Sequence, residues 1–105
     1  MGRRFIDAWQ RLERGEEVRE RHLTFPDLPT LLNVLTPKRL EVLREIRRER
    51  APSIRALADR LKRDYKRVHG DVEALTEVGL LIKDDHGISA PYDVIHADFD
   101  LRDVA

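Results

Sequence analysis

The chain has 105 residues, 38% of them charged and 41% apolar, with 20 Lys and Arg against 20 Asp and Glu and no cysteine. That length suits one domain with one core, and the missing cysteines exclude disulfide scaffolds, thiolate metal clusters and cysteine nucleophiles. No apolar run reaches the roughly 18 residues of a membrane span, and the opening Met-Gly-Arg-Arg lacks a secretory apolar stretch, so a cytoplasmic protein is expected.

Zero net charge hides a polarity along the chain. Residues 1–35 carry six basic and six acidic side chains, residues 36–70 twelve and five, and residues 71–105 two and nine. The middle third is therefore +7 and the last third −7. A polyanion responds to local field rather than to the total. On charge alone, a cationic binding face and a merely solvated helix surface are both open.

In chain order, Phe5, Ala8, Trp9 and Leu12 fall on one face of a short helix that Gly15 can end. A helix this short needs a packing partner. Residues 18–25 read as a short strand. Pro26 and Pro29 then flank a turn into the apolar stretch Leu31 to Leu35. Thr36-Pro37 is the clearest start signal: a hydroxyl N-cap accepts one orphan N–H and the proline removes another. The helix that follows is expected to bury Leu40, Leu43 and Ile46, to reach about Glu49, and to stop at Ala51-Pro52. Ser53 caps a second helix with Ile54, Leu57, Ala58 and Leu61 inward. After the turn Lys62-Arg63-Asp64, with Asp64 as N-cap, a longer helix runs from Tyr65 to Glu77 on the core face Val68, Val72 and Leu75, and Gly79 stands where a left-handed C-cap belongs. Leu80–Lys83 reads as a strand, Asp85-His86-Gly87 as a tight turn and Ile88–Ala90 as the returning strand. From Ile95 to Leu101 apolar and polar residues alternate, which favours a strand over a helix.

Helix, helix, three-residue turn, longer helix and hairpin is the order of a winged helix-turn-helix. The expected fold class is mainly α with a small β component (α+β): a packing or dimerisation segment over 1–35, the winged helix-turn-helix over 36–90 and an acidic tail over 91–105. Away from its core face the third helix presents Arg63, Lys66, Arg67 and Gly70, then turns acidic at Glu73 and Glu77. A recognition helix whose first half enters a major groove has this polarity, and its N-terminus adds N–H groups suited to phosphate.

Leu35-Thr36-Pro37-Lys38-Arg39-Leu40, the Ser53–Ala58 helix start, Arg63-Asp64-Tyr65-Lys66-Arg67-Val68-His69, Ala74–Leu81 and Pro91–Phe99 resemble the small prokaryotic DNA-binding regulators related to MarR-type winged helix-turn-helix proteins. The resemblance spans about Phe25 to Leu101. It implies sequence-specific binding of double-stranded DNA, as a homodimer on an inverted repeat, usually in repression. The chain departs from that pattern in three places. Lys62 stands where such turns often place glycine; Gly70 interrupts the recognition helix, where it either lets a phosphate or base edge approach closely or is simply tolerated; and the hairpin tip Asp84-Asp85-His86 is acidic where an arginine would suit a minor groove.

The expected DNA-contacting residues are Arg63, Lys66 and Arg67, then Tyr65 and His69, with Arg55 and Lys38 on the flanking backbone. Core packing is the alternative for Tyr65, a surface hydrogen bond for His69, and Asp71 is expected to pair with an arginine. His22, His86 and His96 lack metal-ligand spacing. No phosphate loop, nucleophile elbow or HExxH motif occurs. Neither enzyme activity, cofactor nor metal is expected. Asp98 and Asp100 share one face of the tail, as Arg19 and Arg21 do of the early strand, so the two segments are expected to pair within a chain or across a dimer. The alternatives for the tail are a docking surface for a basic protein partner, as in an antitoxin, and a solvated edge that discourages non-specific DNA contact.

Overall fold

The computed structural model describes residues 20–103; the expected helix over 5–12 and Arg19 lie outside them. In chain order the elements are β1 (His22–Thr24), α1 (Leu28–Val34), α2 (Pro37–Arg48), α3 (Ile54–Leu61), α4 (Tyr65–Glu77), β2 (Ile82–Asp84), β3 (Gly87–Ser89) and β4 (Val94–His96), followed by a 3₁₀ turn at Leu101–Asp103. The class is α+β.

The helices start where local chemistry dictates. Thr36, Ser53 and Asp64 each accept the N–H three residues on, at Arg39 (3.2 Å), Ala56 (3.1 Å) and Arg67 (3.2 Å). Each satisfies one of the N–H groups that a helix start leaves orphaned. The stretch after Pro26 is itself helical: Asp27 caps α1 by accepting the Thr30 N–H at 2.9 Å. α4 closes as a Schellman motif, with Gly79 at φ +85°, the Leu80 N–H on the Leu75 carbonyl and the Gly79 N–H on that of Thr76. Leu80 and Leu81, expected in a strand, are instead buried in this closing turn, and β2 begins only at Ile82.

The core lies where α2, α3 and α4 meet the hairpin. Leu57, Val68, Val72 and Leu75 are completely buried, as expected. On α2 the centre of the buried stripe is Val42 and Ile46, while Leu40 and Leu43 are only half-buried. The helix is rotated so that the row Arg39, Val42, Ile46 (i, i+3, i+7) faces inward. The hairpin β2–β3 pairs Asp84 with Gly87 across the two-residue loop Asp85-His86. It also rests on the α2–α3 connection. Ala51 and Ile88 exchange backbone hydrogen bonds of 3.1 and 2.7 Å, and a Cβ on Gly87 would lie 2.3 Å from the Ala51 carbonyl oxygen. Ala51-Pro52 is thus more than a helix stop: it is the hairpin's third backbone partner.

β1 and β4 pair in parallel, His22 with Val94, Leu23 with Ile95 and Thr24 with His96. The imidazoles of His22 and His96 stack at 4.8 Å with a 2.6 Å Nδ1–Nε2 contact. The expected alternation to Leu101 is not realised. β4 ends at His96, whose carbonyl accepts the Phe25 N–H; beyond it the partner segment turns at Asp27 into the start of α1, and the Asp98 carbonyl accepts the Leu28 N–H at 2.8 Å. Phe99 and Leu101 are consequently exposed instead of sharing an inner face with Ile95 and Ala97. The early strand and the tail do pair as expected, but among the described residues their charges do not meet: Asp100 binds Arg102 at 2.8 Å, and the Arg21 guanidinium lies over the Tyr92 ring. Arg47 of α2 anchors the tail by hydrogen bonding to Asp93 and to the Ala90 carbonyl.

Candidate nucleic-acid interface

Of the twelve cations in the middle third, half have a carboxylate partner among the described residues. Arg48 and Arg60 both hold Glu45, and Arg60 further caps the end of α2 through the Glu49 carbonyl at 2.7 Å. Arg47 holds Asp93, and Lys38 stands 3.8 Å from Glu41. The hydrogen bond from Arg48, then that from Arg60, keeps the Glu45 carboxyl below its ordinary range. Arg60 fastens α3 to α2 and Arg47 fastens α2 to the tail, whereas the pairs of Lys38 and Arg48 lie within α2.

Arg63 turns inward. Its Nη2 donates to Asp71 Oδ2 at 2.9 Å, its side chain is only 15% exposed, and its Nη1 is buried with no acceptor among the described residues. Asp71 Oδ1 also accepts from Arg39 Nε at 3.3 Å, and Arg39 reaches the Val34 carbonyl at 3.0 Å. The pairing expected of Asp71 is present, with two arginines instead of one. Arg63 is therefore corrected from a groove contact to an internal tie between the turn, α4 and α2. Four residues of separation on a helix bring a side chain back to the same side; Arg63, lying in the turn before the helix, does not follow that wheel.

The outward residues behave differently. Lys66 and Arg67, in the first turn of α4, are exposed and have no ion-pair partner among the described residues, and the same holds for Lys62 in the turn and Arg55 at the start of α3. The Arg55 guanidinium lies 5.2 Å from the centre of the Tyr65 ring, and Tyr65 in turn meets His69 at 5.9 Å. Tyr65 is 43% exposed and so belongs to this surface, not to the core. The N-terminus of α4, expected to offer N–H groups to a phosphate, has that of Arg67 already taken by Asp64. Lys38 is exposed and close to Glu41, at the start of α2. Lys62 was legible only as a turn residue. Its left-handed conformation (φ 55°, ψ 45°) carries it past the end of α3 and out of the core.

Further along α4 the surface changes sign. Glu73 accepts from Lys83 of β2 at 2.9 Å and stands 3.8 Å from His69. The Lys83 hydrogen bond and charge hold the Glu73 carboxyl below its ordinary range. The hairpin's one lysine is thereby occupied, which leaves Asp84, Asp85 and His86 exposed at its tip. An unpaired cationic cluster at one end of a helix and a paired acidic region at the other can hold a polyanion only at the cationic end.

Among the described residues there is no group of three or more His, Cys, Asp or Glu side chains arranged to hold a metal ion, and no helix is long and apolar enough to cross a membrane. Neither the curated proteins nor the solved structures contain a match. Residues 34–97, from the end of α1 through β4, match the HVO_A0114 family model. With well over half its length matched across all the elements that build this surface, the chain belongs to the HVO_A0114 family.

Proposed function

We propose that this chain is a sequence-specific regulator of transcription that binds double-stranded DNA as a homodimer. In this reading the arrangement α2-α3-turn-α4-hairpin is a winged helix-turn-helix of the MarR-like kind, and α4 enters the major groove by its first half. The observation that carries the reading is that Lys66 and Arg67, at the start of α4 beside Arg55, Lys62, Tyr65 and His69, have no ion-pair partner among the described residues. Evenly mixed charges would have been neutralised locally, as Arg48 and Arg60 are. The resemblance over residues 25–101 supports the same reading, and repression is its usual outcome.

The hairpin is not a groove-inserting wing, since its tip carries Asp84 and Asp85 and phosphate repels carboxylates. Two copies would present their α4 helices about 34 Å apart, on an inverted repeat. About eight phosphate contacts would give a log–log salt slope near −7. The test is an electrophoretic shift with the double-stranded segment upstream of the chain's own gene. Lys66→Glu/Arg67→Glu should weaken binding about 100-fold or more, with the melting temperature unchanged. Equal binding by the double variant, or a salt slope near zero, removes the proposal.

A second reading has its own observation. Phe99 and Leu101 are 47% and 75% exposed on an acidic tail, a composition suited to a basic protein partner such as a toxin. In that case the chain would be an interaction module or antitoxin, and the Lys66→Glu/Arg67→Glu variant would keep its partner.

A further inference from the structure

On a helix of 3.6 residues per turn, Lys66, Gly70, Glu73 and Glu77 form one outward row of α4. Tyr65 and His69 flank the row on one side and Arg67 on the other. Gly70 thus sits in the middle of the cationic half. Glycine is among the least favourable residues inside an exposed helix and alanine the most favourable. Such a position normally has an internal reason, and two are familiar. One is a left-handed backbone; Gly79 and Gly87 have it, at φ +85° and +114°, while Gly70 is not among the positive-φ residues. The other is crowding within the chain, which also applies to Gly87. A Cβ built on Gly70 meets nothing within 4 Å among the described residues. An alanine would therefore fit the folded chain, strengthen α4 and disturb no neighbour.

With no internal reason, the glycine is either simply tolerated or kept for close approach by something outside the chain. We propose that Gly70 is the close-approach point of the α4 surface, where the wall of a bound DNA duplex comes within van der Waals contact of the helix backbone. This inference rests on the DNA-binding reading above and adds a residue that carries no charge and makes no hydrogen bond through its side chain. A methyl group at position 70 would lift the helix away from the duplex, and with it Lys66 and Arg67 on either side. Charged contacts weaken as separation grows, and base-edge contacts do so more steeply.

The distinguishing mark is a sign reversal between folding and binding. Gly70→Ala should raise the melting temperature by about 5 °C, as expected for glycine replaced by alanine in a domain of this size. The same substitution should lower affinity for the upstream duplex about tenfold or more, with Gly70→Leu weaker still. Higher stability with reduced binding cannot come from damage to the fold. If the wild-type chain binds the duplex and Gly70→Ala binds it equally well or better, the close-approach inference fails and the DNA-binding reading stands. If the wild-type chain does not shift the duplex at all, both fail together.

Discussion

Arg63, in the turn before α4, and Arg67, in its first turn, stand four residues apart and belong to different worlds. Arg63 is folded inward against Asp71, which it shares with Arg39, whereas Arg67 projects into solvent without an acidic partner among the described residues. Nothing in their side-chain chemistry distinguishes them. The difference is the position of one carboxylate, Asp71, on the flank of α4 that faces α2. The +7 of the middle third is therefore the wrong measure of a binding face. Half of that block's cations have carboxylate partners among the described residues, and Arg55, Lys62, Lys66 and Arg67 come from the other half.

The strongest way to break the comparison is to remove its cause. Asp71→Ala leaves two guanidinium groups, both largely enclosed, without their shared acceptor. Urea denaturation should show a loss of about 2–3 kcal/mol, as for other truncations that strand a charged hydrogen-bond partner. The same measurement on the Lys66→Glu/Arg67→Glu variant should show less than about 0.5 kcal/mol, the usual scale for surface positions. Similar losses in both would mean that the inner and outer cations do not differ in kind.

A smaller effect sharpens the outer side. Lys62 holds a left-handed backbone at φ 55°, a conformation that side chains disfavour and glycine accepts. Lys62→Gly should gain about 0.5–1 kcal/mol in urea denaturation. By the proposed function it should also reduce the salt slope by about 1 through the loss of one phosphate contact. A stability loss would show that Lys62 has packing value in the turn.

The smallest effect comes with acid. The carboxyls of Glu45 and Glu73 titrate lower in the folded chain than their ordinary value of 4.5, through Arg48 and Arg60 in one case and Lys83 in the other. A depressed folded value means that the native state favours the ionised form, so this contribution is complete above pH 4.5 and disappears as pH falls through the folded values. The urea midpoint should be flat near neutrality and decline below about pH 4.5, and Glu45→Gln should lessen the decline. A midpoint that instead rises in this range would contradict the sign.

What was legible in the sequence was what neighbours in the chain decide. Thr36-Pro37, Ser53 and Asp64 announce helix starts because a cap binds an N–H three residues away, and Gly79 announces an end for the same local reason. The limits Tyr65 and Glu77 and the core face Val68, Val72 and Leu75 follow from such signals. Rotations and the geometry of distant pairings were not legible. The early strand and the tail were expected to meet, but the inward turn of α2 around Val42, the parallel sense and register of β1 against β4, and the reach of Arg39 to Asp71 each depend on residues far apart in sequence. At the candidate surface, residue types pointed to Lys66, Arg67 and Tyr65. Only the fold separated Arg63 from them and made Lys62 part of the same exposed group.

The parallel pairing of β1 with β4 also sets an order of events. His22 meets His96, 74 residues later, and the four helices and the hairpin lie between them. During synthesis β1 emerges early, and its sheet partner among the described residues follows only with residues 94–96. The helices, whose starts are fixed by neighbouring residues, can form and collapse in the meantime. Closure of the ends is then the late, slow step, because a contact so distant in sequence bears the largest loop entropy. A nascent chain halted before Val94 would keep its α4 surface while leaving the edge of β1 open, so that surface can precede the completed fold.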